Sequence, residues 1–133
     1  MNTDTAGAGG IADIAALARR FFDGIEAGDV DAVAACYAPD AVIWHNTDGL
    51  EQGPAENART LRGLVRHFSN RVYDQRRLAA FPGGFVQQHV LRAVRADGAV
   101  VELPCCIVCQ VADGRITRLD EYFDSAHVAA FTG

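Results

Sequence analysis

The residues with the clearest potential for chemistry lie between positions 115 and 124, in the run RITRLDEYFD. If this run is a strand, successive side chains point to opposite faces, so Leu119, Glu121 and Phe123 share one face. The opposite face then carries Arg118, Asp120, Tyr122 and Asp124. A carboxylate is costly to bury among apolar side chains unless it has a partner or a functional role. Glu121 is therefore the first candidate for proton transfer.

Two histidines and a glutamine are predicted to point toward the same interior. On a strand covering 85–95, Gln87 and His89 share a face that is otherwise apolar. His45 shares a face with Ile43 near the end of a second predicted strand. A histidine beside a buried carboxylate can shuttle a proton at neutral pH. The pattern predicts an acid–base site made of Glu121, His45 and His89, with Gln87 beside it.

Each of these residues also has a purely structural interpretation. A single buried histidine is more often a hydrogen-bonded core residue than a catalyst, and Gln87 could lie at a strand edge. Glu121 could simply pair with an arginine. Two histidines and a carboxylate are also ligands of non-haem iron. We favour acid–base chemistry with no metal and no cofactor, because no two of the candidate ligands are close in sequence.

The four cysteines include a C-x-x-C spacing, Cys106 to Cys109, which is typical of redox and zinc sites. Here the motif lies inside a predicted strand, and residues three apart on a strand point to opposite faces. The two thiols therefore cannot easily form a disulfide or bind one metal ion. We expect Cys36, Cys105, Cys106 and Cys109 to act as small core hydrophobes.

Composition narrows the class of protein. The chain has 133 residues, a net charge of −5 and no lysine, since all 12 basic residues are arginine. The acidic balance argues against nucleic-acid binding, and the lack of lysine excludes Schiff-base chemistry through a lysine. No apolar run approaches the roughly 20 residues of a membrane span, and the first ten residues lack the features of a signal peptide. We expect a cytoplasmic protein that does not bind membranes.

Helices are predicted in the first half of the chain. Apolar residues recur at helical spacing through 11–25, and Gly28 ends that helix. Asp29 can cap a shorter second helix. Pro54 opens a third, in which Gly63 suggests close packing. A short strand at 41–46 separates the second and third helices.

The second half has the period of strands, predicted at 71–80, 85–95, 99–112 and 115–124. Asp-Gly pairs at 97–98 and 113–114 predict hairpins. Helices followed by strands favour an α+β fold, with the helices covering one concave face of a curved antiparallel sheet. We predict a disordered segment at 1–10 and a single domain at 11–133.

This order of elements resembles the nuclear transport factor 2-like superfamily, in its SnoaL-like and ketosteroid isomerase-like branches. The matching motifs are GDVD at 28–31, YAPDAV at 37–42, DGRI at 113–116 and DEYFD at 120–124. The resemblance covers nearly the whole chain. It implies a cone-shaped (cystatin-like) roll with a cavity between helices and sheet, usually without a cofactor and often in a homodimer.

The resemblance also assigns roles to individual positions. His45 matches the general-base aspartate of ketosteroid isomerases, and Phe21 matches a tyrosine of their oxyanion hole. The final strand is more similar to that of limonene epoxide hydrolases, whose water-activating aspartate matches Glu121. The orienting arginine and the acid of those hydrolases match Gln87 and His89. SnoaL-like cyclases also carry an acidic base on this strand.

Three functional hypotheses follow. The first is a cofactor-independent isomerase, dehydratase or cyclase acting on a small, mostly apolar oxygenated molecule, with Glu121 as base and His45 and His89 as acids or oxyanion donors. The second is a non-catalytic protein that binds a hydrophobic ligand. The third is a divergent epoxide hydrolase. In each case the residues expected to contact the small molecule are Gln87, Trp44, Tyr37, Phe21, Leu119 and Phe123.

Overall fold

Four helices and six strands form the part of the chain that the computed structural model describes, residues 10–133. The helices are α1 (Ile11–Ala27), α2 (Val30–Ala34), α3 (Pro54–His67) and α4 (Ser125–Thr132). The strands are β1 (Tyr37–His45), β2 (Glu51–Gln52), β3 (Phe68–Phe81), β4 (Gly84–Arg95), β5 (Val100–Ala112) and β6 (Arg115–Tyr122). The disordered segment predicted for 1–10 lies outside the described residues except for its last position.

The helix boundaries follow from the capping residues that predicted them. Gly28 ends α1 in the left-handed conformation, with φ 76°, and its N–H donates to the carbonyl of Ile25 at 3.1 Å. The Asp29 carboxylate accepts from the Ala32 N–H at 3.1 Å and so caps α2. Pro54 occupies the first turn of α3, where a missing N–H costs nothing.

All six strands belong to one curved sheet in the order β2-β1-β6-β5-β4-β3. Strands β3 to β6 form the predicted antiparallel meander, and β2 pairs antiparallel with β1. The β1–β6 pair is parallel, so β6 lies between β1 and β5 in the sheet. The predicted 41–46 strand was too short. Strand β1 begins at Tyr37, which pairs with Ile116 of β6, and the chain bulges between Tyr37 and Val42 before regular pairing resumes.

The core lies between α1 and the concave face of the sheet. Phe22 of α1 is fully buried and makes edge-to-face contacts with Tyr73 of β3 and Phe85 of β4, at centroid distances of 5.0 and 6.2 Å. The inward residues of β5 alternate with exposed or half-buried ones. This arrangement of helices on one face of a mostly antiparallel sheet confirms the α+β prediction.

Two details differ from the predictions. The space beside Gly63 is open to at least 4 Å, so the close packing expected there is wrong. A fourth helix, α4, follows β6; the sequence had predicted only three helices. Its residues Ser125–Thr132 are mostly small or apolar and show no one-sided stripe, so helical periodicity gave no signal. Phe131 of α4 stacks on Phe68 at a centroid distance of 4.6 Å.

The cysteines are all unpaired. Cys36, Cys105 and Cys109 are buried, and Cys106 lies on the opposite face of β5 from Cys109. This placement confirms the prediction that the C-x-x-C spacing marks no disulfide. In the described residues, no helix has both the length and the apolar character needed to cross a membrane.

Candidate active site

A cavity of about 500 Å³ lies between the helices and the concave face of the sheet. Much of its wall is apolar and comes from different elements, including Phe21, Ile43, Leu61, Leu103, Leu119 and Phe123. The hydroxyl-bearing Tyr37 and Tyr73 also line it. Four of the residues predicted to contact a small molecule, namely Phe21, Tyr37, Leu119 and Phe123, therefore lie on the cavity wall.

His45 and Glu121 meet in this wall. They are paired residues on the parallel strands β1 and β6, so their side chains emerge side by side on the same face. His45 Nε2 lies 3.1 Å from Glu121 Oε1, and each side chain is 18% exposed. The hydrogen bond to Glu121 raises the pKa of His45 above its ordinary value, although burial opposes the shift. The contact therefore favours protonation of the His45 ring relative to a free histidine.

The face assignment predicted for β6 is confirmed. Leu119 is buried, Glu121 and Phe123 line the cavity, and Tyr122 is 45% exposed on the other face. The neighbouring arginine, Arg118, pairs with Asp120 at 3.0 Å on that other face. The structural alternative in which Glu121 pairs with an arginine is therefore not what is observed: its cationic partner is a histidine.

Gln87 and His89 form a second polar pair, deeper in the protein. Gln87 is 1% and His89 4% exposed, and Gln87 Nε2 lies 3.0 Å from His89 Nδ1. Because an amide nitrogen can only donate, Nδ1 accepts and the neutral imidazole carries its hydrogen on Nε2. Burial lowers the pKa of His89 to about 4, so the ring is neutral at pH 7.

His89 does not line the main cavity. Its ring packs against Phe22 and Tyr73, with centroid distances of 5.4 and 4.5 Å, and Nε2 is buried without a hydrogen-bond partner among the described residues. Gln87 likewise does not line the cavity, and its side-chain amide donates to His89 Nδ1. These two residues are therefore placed to support the site and not to touch a molecule in the cavity.

His89, Cys105 and Glu121 come together from three strands, with one potential ligand atom of each within 4.8 Å of the others. A nitrogen, a sulfur and a carboxylate oxygen form a set that Zn²⁺ accepts. Burial, followed by the charge of Glu121, strongly raises the pKa of Cys105, so this thiol is protonated at neutral pH. Glu121 thus lies near both His45 and His89, whereas the Gln87 amide contacts His89 and does not line the cavity.

Trp44 is placed differently from its prediction as a cavity residue. Since side chains alternate along β1, Ile43 and His45 point inward and Trp44 points to the convex face of the sheet. There it packs against Tyr122 at a centroid distance of 5.4 Å. His67 and His127, predicted to be surface or packing residues, are both exposed.

One buried polar residue of the cavity wall was missed. Asn57 of α3 is buried, and its Oδ1 accepts a hydrogen bond from the Tyr37 hydroxyl at 3.3 Å. Its position could have been found, because Asn57 lies four and seven residues before Leu61 and Leu64 and so shares their helical face. An amide on an apolar helical stripe is the same kind of signal that identified Glu121.

The fold has many counterparts among solved structures. A proposed polyketide cyclase from Xanthomonas campestris pv. campestris superposes with a TM-score of 0.81, at 21% identity over 92% of this chain and 98% of that chain. An LEH-like epoxide hydrolase from M. tuberculosis has a TM-score of 0.75, at 21% identity over 90% and 89%. A protein of ketosteroid isomerase-like fold from Catenulispora acidiphila, solved with trimethylamine, has a TM-score of 0.76 at 12% identity over 88% and 92%.

These similarities establish the fold and leave the reaction open, since one fold can carry many activities. No curated protein matches the chain significantly. The family model described as the SnoaL-like domain matches residues 18–119, which is well over half of the sequence. The protein therefore belongs to the SnoaL-like domain family.

Proposed function

We propose that this protein is a cofactor-independent acid–base enzyme that acts on a small, mostly apolar oxygenated molecule held in the cavity. The observation that carries the proposal is the His45–Glu121 pair, joined at 3.1 Å in the wall of a largely apolar cavity of about 500 Å³. Cavities of this size suit small organic ligands, which are typically oriented by a few polar groups.

In this proposal Glu121 is the base. Its carboxylate takes a proton from a carbon next to a carbonyl group, which leaves an enolate and a neutral carboxylic acid. The acid then returns the proton to the same carbon or to another carbon of the conjugated system. His45 donates to Oε1 and so orients the carboxylate, which leaves Oε2 to take the proton. The proton balance closes within Glu121, and isomerisation, dehydration or cyclisation can follow from the enolate.

Proton exchange tests this proposal without knowledge of the natural substrate. A panel of apolar ketones, including cyclohexanone and 2-tetralone, is incubated with the protein in D₂O, and deuterium incorporation beside the carbonyl is followed by NMR. We expect exchange above the buffer rate for at least one ketone, and a fall of about 10²–10⁴ in Glu121→Gln, the usual contribution of general acid–base catalysis.

Asp120→Asn is the matched control, because Asp120 is the adjacent carboxylate on the opposite face of β6. It should keep the wild-type exchange rate. Equal exchange by wild type and Glu121→Gln would contradict the proposal and favour a protein that only binds its ligand. Hydrolysis of apolar epoxides that depends on Glu121, without ketone exchange, would favour the epoxide hydrolase alternative, which the likeness to the M. tuberculosis enzyme supports only at the level of fold.

A further inference from the structure

The enolate proposed above needs hydrogen-bond donors at its oxygen. The His45 Nε2–H is engaged by Glu121 Oε1 at 3.1 Å. His89 lies behind the cavity wall, packed between Phe22 and Tyr73. A further set of polar groups lies in another part of the wall.

Tyr37 and Asn57 form the one hydrogen-bonded pair of buried polar side chains in the cavity wall within residues 10–133. Tyr37 comes from the start of β1 and Asn57 from the first turns of α3, and the hydroxyl lies 3.3 Å from Oδ1. Each group fixes the other. Burial is the largest cause that raises the pKa of Tyr37 well above its ordinary value, and the charge of Glu121 contributes. The phenol is therefore neutral and lies within the electrostatic influence of the proposed base.

Counting hydrogens shows which ligand this pair suits. The amide has two N–H groups and the phenol one O–H, which makes three donors, and the mutual hydrogen bond uses one of them. If the amide were rotated by 180°, its nitrogen would donate to the phenol oxygen, and again two donors would remain. In either orientation, two of the three hydrogens are not used by the mutual hydrogen bond.

We propose that the Tyr37–Asn57 pair binds the carbonyl oxygen of the substrate through the hydrogens that its mutual hydrogen bond leaves unused, which makes the ligand class a small apolar ketone or related carbonyl compound. The inference rests on the proposed function in that it takes the same cavity as the substrate site. Donors that a partner already holds in place need no reorganisation when negative charge develops on the oxygen. They therefore stabilise the enolate more than the ketone. The remainder of the wall, which includes Leu61 and Leu64 on the same face of α3, contacts the hydrocarbon part.

A pair of ligands that differ only in the oxygen tests this assignment. Dissociation constants are measured by NMR titration for 2-tetralone and for tetralin, which has the same ring frame without the carbonyl. We expect wild type to prefer the ketone by about three- to tenfold, the usual net contribution of a hydrogen bond. Asn57→Leu should remove the preference while keeping the affinity for tetralin. The ¹³C resonance of a carbonyl-labelled 2-tetralone should move downfield on binding to wild type and less so in the variant.

Thr60→Val is the matched control. Thr60 lies one turn after Asn57 and also lines the cavity, but its hydroxyl already donates to the Glu56 carbonyl and accepts from Gln52 Nε2, each at 3.3 Å. It should keep the ketone preference. Tyr37→Phe should weaken the preference, and circular dichroism checks that each variant folds.

Three results would overturn the assignment. These are a ketone preference that survives in Asn57→Leu, a preference that is lost in Tyr73→Phe and not in Asn57→Leu, and no binding of 2-tetralone at millimolar concentration. Glu121→Gln separates this inference from the proposed function, because the ketone preference should persist in that variant even though exchange is lost. If exchange never occurs but the preference still depends on Asn57, the cavity binds carbonyl compounds without turning them over.

Discussion

His45 and Glu121 are directly paired residues on two parallel strands, and their side chains meet at 3.1 Å in the cavity wall. The two strands are far apart in sequence, so the pair exists only when the sheet has formed. Glu121 changes the protonation of His45, and this effect can be measured apart from any reaction.

The pKa of His45 should fall when Glu121 is replaced by glutamine. The hydrogen bond to Glu121 is the largest cause of its raised pKa, whereas burial acts in the opposite direction. In Glu121→Gln the burial contribution remains and the carboxylate is gone, so we expect a His45 pKa below that of the wild type. Titration of the imidazole C–H resonances by NMR measures both values.

Asp48→Asn is the control for this titration, because Asp48 makes the smallest contribution to the raised pKa of His45. Its effect should be much weaker than that of Glu121→Gln. An unchanged His45 pKa in Glu121→Gln would show that the two side chains do not interact in solution.

His45 also makes stability depend on pH. Its pKa is higher in the folded protein than in the unfolded chain, where it is about 6.5. The stabilisation is therefore complete below about pH 6.5 and is lost as the pH rises through the folded value. Thermal melts from pH 6 to 9 should show this loss in wild type and a smaller one in His45→Gln. Parallel curves for the two proteins would contradict it.

His89 should make the protein sensitive to acid. Its pKa is lowered to about 4, so between about pH 6.5 and 4 the unfolded chain binds a proton that the folded protein does not. At about 1.4 kcal/mol per unit, the free energy of unfolding should fall by roughly 3 kcal/mol over this interval through His89 alone. His89→Phe should remove that part of the fall, as measured by urea unfolding at several pH values.

His67→Gln is the matched control for acid sensitivity, since His67 is exposed at the end of α3. It should follow the wild-type pH dependence. If His89→Phe did so as well, the buried imidazole would not be the cause.

Replacing Gln87 should lower the free energy of unfolding, whereas replacing its neighbour Gln88 should hardly change it. Gln87→Leu leaves His89 Nδ1 buried without a donor, and an unpaired buried acceptor costs about 1–3 kcal/mol. Gln88 is exposed on the opposite face of β4, and Gln88→Leu should change the free energy of unfolding by less than about 0.5 kcal/mol. Chemical denaturation measures both, and equal losses would contradict the buried hydrogen bond.

We expect a homodimer formed through the convex face of the sheet. Trp44 and Tyr122 pack together there, beside the half-buried Val90, Cys106 and Val108. An apolar patch on an uncovered sheet face is typical of an interface. Light scattering should give about twice the monomer mass of 14.2 kDa at micromolar concentration. Tyr122→Arg should give the monomer, and a wild-type mass near 14.2 kDa would contradict the prediction.

The sequence predicted most of the local structure, because its signals are local. Gly28, Asp29 and Pro54 mark helix ends by backbone chemistry alone, and alternation along β6 was enough to place Glu121 inside. What it could not predict depends on pairing between distant residues. The strands β1 and β6 are not joined by a tight turn, so no local sequence signal predicts their parallel pairing. The same pairing places His45, and not an arginine, next to Glu121.

The errors at the site have a similar origin. Side chains alternate along β1, so Trp44 and His45 lie on opposite faces, and the prediction that Trp44 lines the cavity was wrong. The difference between His45 and His89 depends on depth within the cavity wall, which no single strand pattern encodes. Asn57 was recoverable from its helical spacing and Tyr37 was predicted as a cavity residue, but the hydrogen bond between them could be identified only in three dimensions.

The central position of β6 also constrains how the protein is made. Strand β1 is complete by residue 45, but its parallel partner β6 begins only at residue 115. During synthesis on the ribosome, β1 and the strands β3 to β5 therefore have unpaired edges until β6 emerges and pairs with both β1 and β5. Such sequence-distant pairing is slow to form and leaves strand edges exposed to aggregation in the meantime. Nascent chains arrested before β6 should therefore depend more on chaperones than the finished protein does.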